Sequence, residues 1–278
     1  MQKVESEAGA EHWVMMLGIF PCSPIERAYF LGMTTKLILL GLTAASSVYA
    51  GEILMVLTNH GELGDTGKKT GFFLSEAAHP YAVFVEAGHE VVLASPKGGV
   101  APVDPKSLKL EDEENKVFWE KFGNADKDSP AVSDTVPLEK IEVGEFDGVF
   151  FAGGHGTMWD LPDSKQVQNV IRETYESDKP VGAVCHGPAA LVNVTLSNGK
   201  KLVDGKTVAV FTDAEEEAVG LTEVVPFLLQ STLEEAGAKA KVGENFSENA
   251  VRDGLLVTGQ NPASAKKTGE LFIEALQK

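Results

Sequence analysis

The chain has 278 residues and is 43% hydrophobic, so it is long and apolar enough to bury the core of one large domain. Its formal net charge of −17 at pH 7 argues against non-specific binding to nucleic acids, which needs clustered lysine and arginine. The same charge argues against adsorption to an anionic membrane surface. The expected partners are small molecules or other proteins.

Residues 33–50 have the layout of a secretory signal peptide. Lys36 precedes a short apolar segment, and Ala50 is the small residue before a cleavage site at Gly51. The apolar segment is shorter than the roughly 20 residues that span a membrane. This pattern predicts export to the periplasm or the exterior; a buried N-terminal element in a cytoplasmic protein is the alternative. Residues 1–32 are interpreted as a leader that stems from an upstream start codon.

From Gly51 onward, apolar segments alternate with helix-like segments. The pattern predicts strands at 52–59, 89–96, 147–154, 179–185, 206–213 and 255–260. It predicts helices at 73–88, 164–177, from 188 onward, at 216–236 and at 263–277. Apolar strands that alternate with helices indicate a mostly parallel sheet covered on both faces. The polar segment 97–145 is interpreted as a surface excursion or small lid within a single α/β domain over 51–278.

Three of the predicted strands end in polar or glycine-rich sequences. They are LTNHGELGDTGKKTG (57–71), FFAGGHGTMWDLPD (150–163) and AVCHGP (183–188). Since ligands bind outside the carboxyl ends of parallel strands, we expect the three sequences to meet at one edge of the sheet.

Cys185 ends the predicted strand 179–185, and Gly187 and Pro188 fit a tight turn into a helix. Such a turn holds a side chain strained and exposed, as in nucleophile elbows, and a helix N-terminus is expected to stabilise a thiolate. The alternative is a small apolar cysteine that fills a gap in the core. Because Cys22 falls in the leader, the predicted mature protein has no internal disulfide and one free thiol.

A nucleophilic cysteine needs a base, and the histidines limit the choice. They are His12, His60, His79, His89, His155 and His186. None follows residue 186, which excludes papain-like proteases and glutamine amidotransferases, whose histidine comes long after the cysteine. The base is therefore His186 or an upstream residue, and His89 is interpreted as structural. No histidine has metal-ligand spacing with a partner, so we predict no metal. No cofactor is predicted either.

The glycines of GGHGT (153–157) allow the backbone to approach a ligand closely. Their N–H groups, at Gly153, Gly154 and His155, can form an oxyanion hole together with that of His186. A glycine pair alone is often only a turn, so the interpretation depends on the cysteine turn beside it.

Four segments taken together resemble the ThiJ/PfpI superfamily. They are TGFFLSEAAHPYAVFVEAGHEVVLASPKGG (70–99), FFAGGHGTMWDLPD (150–163), AVCHGPAAL (183–191) and VTGQNPAS (257–264). Within the superfamily they are most similar to the heat-shock-type, glutathione-independent glyoxalases of the glyoxalase III type. The resemblance covers roughly 51–278, and it implies a flavodoxin-like, three-layer α/β sandwich of the class I glutamine amidotransferase-like kind.

The resemblance also implies a Cys-His-acid triad. By motif, the nucleophile is Cys185 and the adjacent histidine is His186. A glutamate close to the sulfur maps to Glu76, where a carboxyl group can share a proton with the thiolate and move it during an isomerisation. The alternative for Glu76 is a solvated charge on a helix surface.

The acid of the implied triad falls in FTDAEEE (211–217). Counting from Phe211 places it at Glu216, with Asp213 or Glu217 as alternatives. The acids of this segment can also simply complement the dipole of the helix that they open.

The activity implied by the resemblance is the lyase reaction that converts methylglyoxal or glyoxal to the hydroxy acid, D-lactate from methylglyoxal, without glutathione. A cysteine peptidase or amidase is one alternative; a stress chaperone or redox sensor that uses the same thiol is another. A lid at 97–145 favours a small closed pocket over a peptide cleft. The family also tends to form homodimers.

Overall fold

The computed structural model of the protein describes residues 51–126 and 128–277. The predicted leader, the signal peptide at 33–50 and Cys22 lie outside these residues, so export stays a prediction. No helix in the described part of the chain is both long and apolar enough to cross a membrane.

The described residues form ten strands and seven α-helices. The strands are β1 (Glu52–Val56), β2 (Glu90–Ser95), β3 (Gly99–Pro102), β4 (Ala131–Pro137), β5 (Gly148–Phe151), β6 (Val181–Val184), β7 (Thr207–Val208), β8 (Lys239–Ala240), β9 (Ala250–Asp253) and β10 (Leu256–Gly259). The helices are α1 (Leu74–Glu86), α2 (Glu113–Phe122), α3 (Thr157–Asp160), α4 (Lys165–Glu176), α5 (Asp213–Ala218), α6 (Leu229–Glu235) and α7 (Ala265–Leu276).

Eight strands make one sheet in the order β3-β4-β2-β1-β5-β6-β10-β9. The six inner strands pair in parallel, and the edge strands β3 and β9 are antiparallel to their neighbours. The predicted mostly parallel sheet is therefore confirmed. Because β2 and β5 lie on opposite sides of β1, the strand order reverses there, and this is where a ligand crevice forms in open α/β sheets.

Both faces of the sheet are covered, which explains why its strands are apolar throughout. Successive residues of β1 alternate between two cores: Ile53 and Met55 face one, Leu54 and Val56 the other. The first core is rich in aromatic side chains and lies under α1, α2 and α7, which pack on one another. The second core lies under α4. The result is the expected three-layer flavodoxin-like sandwich.

The segment 97–145 differs from the predicted surface excursion. It contributes β3, β4 and α2, so it extends the sheet at one edge. Phe118 and Val132, which are 0% and 1% exposed, belong to the aromatic core. Most of the charged residues that suggested a surface segment are exposed, but buried apolar residues lie among them along the chain, and composition averaged over the segment hid these anchors.

The chain after β6 also departs from the predicted elements. The strand expected at 206–213 is only β7, which pairs with β8 in a separate two-stranded sheet. Beyond β7, the N–H of Ala209 donates to Oγ1 of Thr258 at 2.8 Å. This N–H therefore bonds to a side chain and not to the backbone of a neighbouring strand. The helix expected at 216–236 is split into α5 and α6, because Gly220 takes a left-handed conformation with φ of 72°.

Candidate active site

Cys185 follows directly on β6 and takes a left-handed conformation, with φ of 60°. Its N–H donates to the carbonyl oxygen of Gly259 at 2.8 Å, and its own carbonyl accepts from the N–H of Phe211 at 3.0 Å. These two backbone hydrogen bonds hold Cys185 in a conformation that residues other than glycine rarely adopt. The expected strained turn is present. The expected exposure is not, because Cys185 is only 3% exposed and its sulfur faces a cavity instead of bulk solvent.

The expected stabilisation of the Cys185 thiolate by a helix N-terminus is outweighed by burial. Burial raises the pKa of the thiol well above its usual value, and the adjacent carboxyl group of Glu76 raises it further, while the backbone N–H of His186 lowers it. The helix that follows is a 3-10 helix of 5 residues, Gly187–Leu191, which offers little dipole. In the resting site Cys185 is therefore a thiol that must pass its proton to a neighbour before it reacts.

His186 is the neighbour that can accept that proton. Its Nδ1 lies 3.3 Å from Sγ of Cys185, and its Nε2 lies 2.8 Å from Oε2 of Glu216. The imidazole is 0% exposed, and burial together with nearby His155 lowers its pKa to about 4. His186 is therefore neutral at physiological pH.

The carboxylate of Glu216 fixes the tautomer of His186. Burial alone would raise the pKa of Glu216, but hydrogen bonds from His155 and His186 outweigh it and lower that pKa to about 2. An ionised carboxylate only accepts hydrogen bonds, so each imidazole must donate through its Nε2–H. The free lone pair of His186 is then on Nδ1 and faces the thiol, which is the arrangement of a general base.

His155 is the second partner of Glu216. Its Nε2 lies 2.9 Å from Oε1, and its ring centroid lies 4.1 Å from that of His186. The sequence suggested that His155 lines the pocket and offers its backbone N–H, but nothing in the local spacing links its side chain to an acid 61 positions away.

Glu76 lies on α1 and is 0% exposed. Burial raises the pKa of its carboxyl group well above the usual value, although the Cys185 thiol and the N–H of Gly153 are near enough to lower it in part. Neither carboxyl oxygen has a hydrogen-bond partner of good geometry among the described residues. The carboxyl group of Glu76 is therefore neutral, lies beside the sulfur and is available to exchange a proton. The alternative of a solvated surface charge is wrong.

The alternatives to Glu216 lie elsewhere. Asp213 accepts a hydrogen bond from the hydroxyl of Ser231, and Glu217 is exposed to solvent. Glu215 completes a capping box with Thr212 at the start of α5, so one of the three adjacent glutamates does serve the helix terminus, as expected.

The glycines of the β5 turn are needed for close approach. A Cβ added to Gly153 would lie 2.5 Å from Oε2 of Glu76 and 2.8 Å from the backbone nitrogen of His186. Gly154 has φ of 101° and lines the cavity together with His155 and His186. The N–H of Gly153 faces Glu76, so Gly154, His155 and His186 are the positions of the expected oxyanion hole that border the cavity.

The remaining described histidines lie outside this cluster. His60 stacks on Trp159, with centroids 5.0 Å apart, and His79 lies 3.2 Å from the carboxylate of Asp112. Nδ1 of His89 is buried without a partner among the described residues.

Sequence spacing indicated no histidine with a metal-ligand partner, but the fold brings distant residues together, and two groups of side chains among the described residues have the spacing to offer ligands to a cation. One is His155, His186 and Glu216; the other is His79, Asp112 and Glu114. In the first group both imidazoles already donate to the carboxylate, so metal binding would require both hydrogen bonds to break. The first group is therefore arranged to act through acids, bases and hydrogen bonds.

A cavity of about 220 Å³ lies above the sulfur. Its walls are mostly apolar, with a few polar groups at the reactive end, as is usual for small-molecule sites. They are formed by Leu63, Phe73, Asp104, Lys106, Gly154, His155, Cys185, His186, Phe211, Val219, Leu221, Phe246 and Pro262.

Similar proteins share this fold over nearly their whole length. Glyoxalase 3 of Candida albicans is 34% identical over 81% of this chain and 98% of its own. Glutathione-independent glyoxalase HSP31 of Saccharomyces cerevisiae is also 34% identical, over 81% of this chain and 98% of its own. The crystal structure of glyoxalase III from Candida albicans superposes with a TM-score of 0.73 at 32% identity, covering 81% of this chain and 97% of that one.

A bacterial structure is equally similar. Rapid Encystment Protein 24 KDa from Francisella tularensis has a TM-score of 0.75 at 35% identity, covering 81% of this chain and 99% of that one. Residues 69–275 match the model of the DJ-1/PfpI family. The chain therefore belongs to the DJ-1/PfpI family.

Proposed function

We propose that this protein is a glutathione-independent glyoxalase that converts methylglyoxal or glyoxal to the corresponding hydroxy acid. The observation that carries the proposal is the convergence of a thiol, a neutral imidazole and a neutral carboxyl group. Cys185 and His186 line one small cavity, and Glu76 lies beside the sulfur. The names of the similar proteins from Candida albicans and Saccharomyces cerevisiae support it.

The first step joins the sulfur to the aldehyde carbon, C1, of the substrate. Nδ1 of His186 takes the thiol proton across 3.3 Å, Sγ of Cys185 forms a bond to C1, and the carbonyl oxygen becomes an oxyanion. Protonation of that oxygen gives a hemithioacetal. The imidazolium is stabilised by the Glu216 carboxylate 2.8 Å away.

The second step moves a proton from C1 to the neighbouring carbonyl carbon, C2. A base removes the C1 proton, giving an enediol, and an acid returns a proton to C2, giving a thioester. In this step C1 is oxidised and C2 reduced by the same amount, so no external oxidant or cofactor is needed. His186 and Glu76 are the acid–base pair, because their environments move their pKa values in opposite directions.

The last step releases the product. Water attacks C1 of the thioester, the C–S bond breaks, and the sulfur regains its proton, so methylglyoxal plus water yields lactate. Backbone N–H groups of Gly154, His155 and His186 border the cavity and are the candidates to stabilise the oxyanions of the first and last steps. D-lactate is the enantiomer implied by the family resemblance.

A peptidase would need an open cleft around its nucleophile. Cys185 is only 3% exposed, and the cavity above it is of small-molecule size, so the site favours a small carbonyl over a peptide. A chaperone or redox-sensor role through the same thiol stays a prediction, as does the homodimer.

The proposal is tested with purified protein and methylglyoxal in the absence of added thiols. We expect wild type to form lactate and Cys185→Ala to form none above the uncatalysed rate. The matched control is Val192→Ala, a truncation at the end of the 3-10 helix that follows Cys185, at a residue that does not line the cavity. Equal turnover by wild type and Cys185→Ala would overturn the proposal.

A further inference from the structure

We propose that an apolar rim at the cavity mouth selects 2-oxoaldehydes that carry an apolar substituent over glyoxal and methylglyoxal. The rim consists of Val219, Leu221 and Phe246. This inference depends on the proposed function, since it names the class of substrate for the same site.

The cavity is larger than methylglyoxal requires. A molecule with five non-hydrogen atoms takes at most roughly 150 Å³ if each atom has the share of one liquid water. The cavity measures about 220 Å³, so it has room for further carbon atoms beyond the two reacting carbonyls.

The direction of that extra room follows from the rings that line it. The ring of Phe211 lies 4.3 Å from that of His186, and the ring of Phe246 lies 6.3 Å from that of Phe211. These rings form a row from His186 to Phe246 along the cavity wall, and this row is the path that we assign to the substituent of an aldehyde bonded to Sγ of Cys185.

The rim is unusual because its apolar side chains remain exposed. Val219 is 43% exposed and Phe246 is 48% exposed, although both border the cavity. A ligand whose substituent covers these side chains gains apolar burial that glyoxal cannot gain. Each buried methylene changes affinity by about fourfold.

Phe246 is held at the mouth by a buried carboxylate. Its φ of 59° is in the left-handed region, and its N–H donates to Oε1 of Glu215 at 2.7 Å. Glu215 is 0% exposed and also accepts from Nδ2 of Asn261 at 2.9 Å. Glu215, which fixes the strained backbone of Phe246, directly precedes Glu216 on α5. The same helix therefore positions both the rim residue Phe246 and the catalytic carboxylate.

The cavity wall also carries two charges of opposite sign, at Asp104 and Lys106. The carboxylate of Asp104 accepts from Oγ1 of Thr70, at 3.0 Å, and from the N–H of Lys106, at 2.9 Å. Lys106 is exposed, and the nearby carboxylate offsets its charge. The wall therefore gives an anionic substituent no net attraction, which favours an apolar substituent.

The test compares kcat/KM in wild type, Val219→Ser and Phe246→Asn for four substrates. They are glyoxal, methylglyoxal, 2-oxohexanal and a 2-oxoaldehyde of the same length that ends in a carboxylate. Asparagine tolerates the left-handed conformation at 246. Val242→Ser is the matched control, since Val242 is 52% exposed but lies outside the cavity wall. We expect wild type to prefer 2-oxohexanal to methylglyoxal by about tenfold or more, from burial of three methylenes.

Each rim variant should lose about fourfold or more on 2-oxohexanal and less than about twofold on glyoxal. Equal losses on all substrates, a loss in Val242→Ser like that in Val219→Ser, or preference for a 2-oxoaldehyde of the same length that ends in a carboxylate would overturn the inference. Absence of turnover with every substrate would contradict the proposed function instead.

A second measurement needs no turnover. Reversible hemithioacetal formation should protect Cys185 from alkylation, and hexanal should protect it at lower concentration than acetaldehyde does. Phe246→Asn should remove that difference. Equal protection by the two aldehydes in wild type would overturn the inference even if the protein had no glyoxalase activity.

Discussion

Oε2 of Glu216 lies 2.8 Å from Nε2 of His186, and this contact decides which nitrogen of the imidazole faces the sulfur. Because the carboxylate can only accept, it holds the Nε2–H tautomer and leaves Nδ1 free for the thiol of Cys185. Glutamine at position 216 keeps one accepting oxygen but places an NH2 donor where the second carboxylate oxygen was, so it would lose the hydrogen bond from either His155 or His186.

Glu216→Gln should lower kcat with methylglyoxal by roughly 100-fold or more, as loss of an orienting carboxylate does elsewhere. Glu217→Gln should retain activity within about twofold, since Glu217 is exposed and adjacent in sequence. Steady-state kinetics of the two variants give the comparison. Similar losses in both would mean that the carboxylate does not act through His186.

Glu76 should be needed for proton movement but not for the reactivity of the thiol. Glu76→Gln keeps the size of the side chain but cannot release a proton, so kcat should fall by about 100-fold or more. Alkylation of Cys185 by iodoacetamide should persist in this variant. If Glu76→Gln turned over like wild type, the acid–base role would have to pass to another group.

Asp160 makes the stability of the fold depend on pH. It ties the tip of β1 to α3, accepting from Oγ1 of Thr58 at 2.7 Å and from the N–H of Asn59 at 2.8 Å. Burial raises its pKa from 3.8 to about 6. Between pH 3.8 and about 6, the folded state therefore binds more protons at Asp160 than the unfolded state does. Protonated Asp160 stabilises the fold fully below pH 3.8, and this stabilisation is lost as the pH rises through about 6.

The free energy of unfolding of wild type, relative to Asp160→Asn, should therefore fall by at most about 3 kcal/mol between pH 4 and pH 7. Denaturant titrations of both proteins at the two pH values measure this difference. Asp163→Asn, which removes an exposed carboxylate close by, serves as the control. A constant difference between wild type and Asp160→Asn would show that Asp160 titrates alike in both states.

Glu215 should matter for stability through several bonds at once. Its carboxylate accepts from the N–H groups of Thr212 and Phe246 and from Nδ2 of Asn261, and the residue is fully buried. Glu215→Ala leaves these donors without a partner and should lower the free energy of unfolding by roughly 3 kcal/mol. Glu217→Ala should change it by no more than about 0.5 kcal/mol. Equal effects in thermal melts would argue against this network.

The reactive end of the site is accessible from sequence because its residues are adjacent or lie in recognisable segments. Cys185 and His186 are neighbours at a strand end, Glu76 lies in a segment that resembles the family, and a short count reaches Glu216. Periodicity also predicts most central strands and helices, since both faces of the sheet are covered and its strands are apolar.

The remainder depends on contacts between distant parts of the chain. Nothing local links His155 to Glu216, Glu215 to Phe246, or β4 to β2. The sequence also predicts the wrong ionisation state for Cys185, because an N-terminal helix turn is visible in the pattern whereas the burial that opposes it is not.

The most direct test of the central claim is the isotope content of lactate made from methylglyoxal in D₂O. If Cys185 holds the substrate while His186 and Glu76 move the proton through an enediol, the protein groups exchange with solvent and the lactate carries deuterium at C2. Direct hydride transfer would instead leave the aldehyde hydrogen of the substrate at C2. Lactate that retains this hydrogen in full would contradict the account.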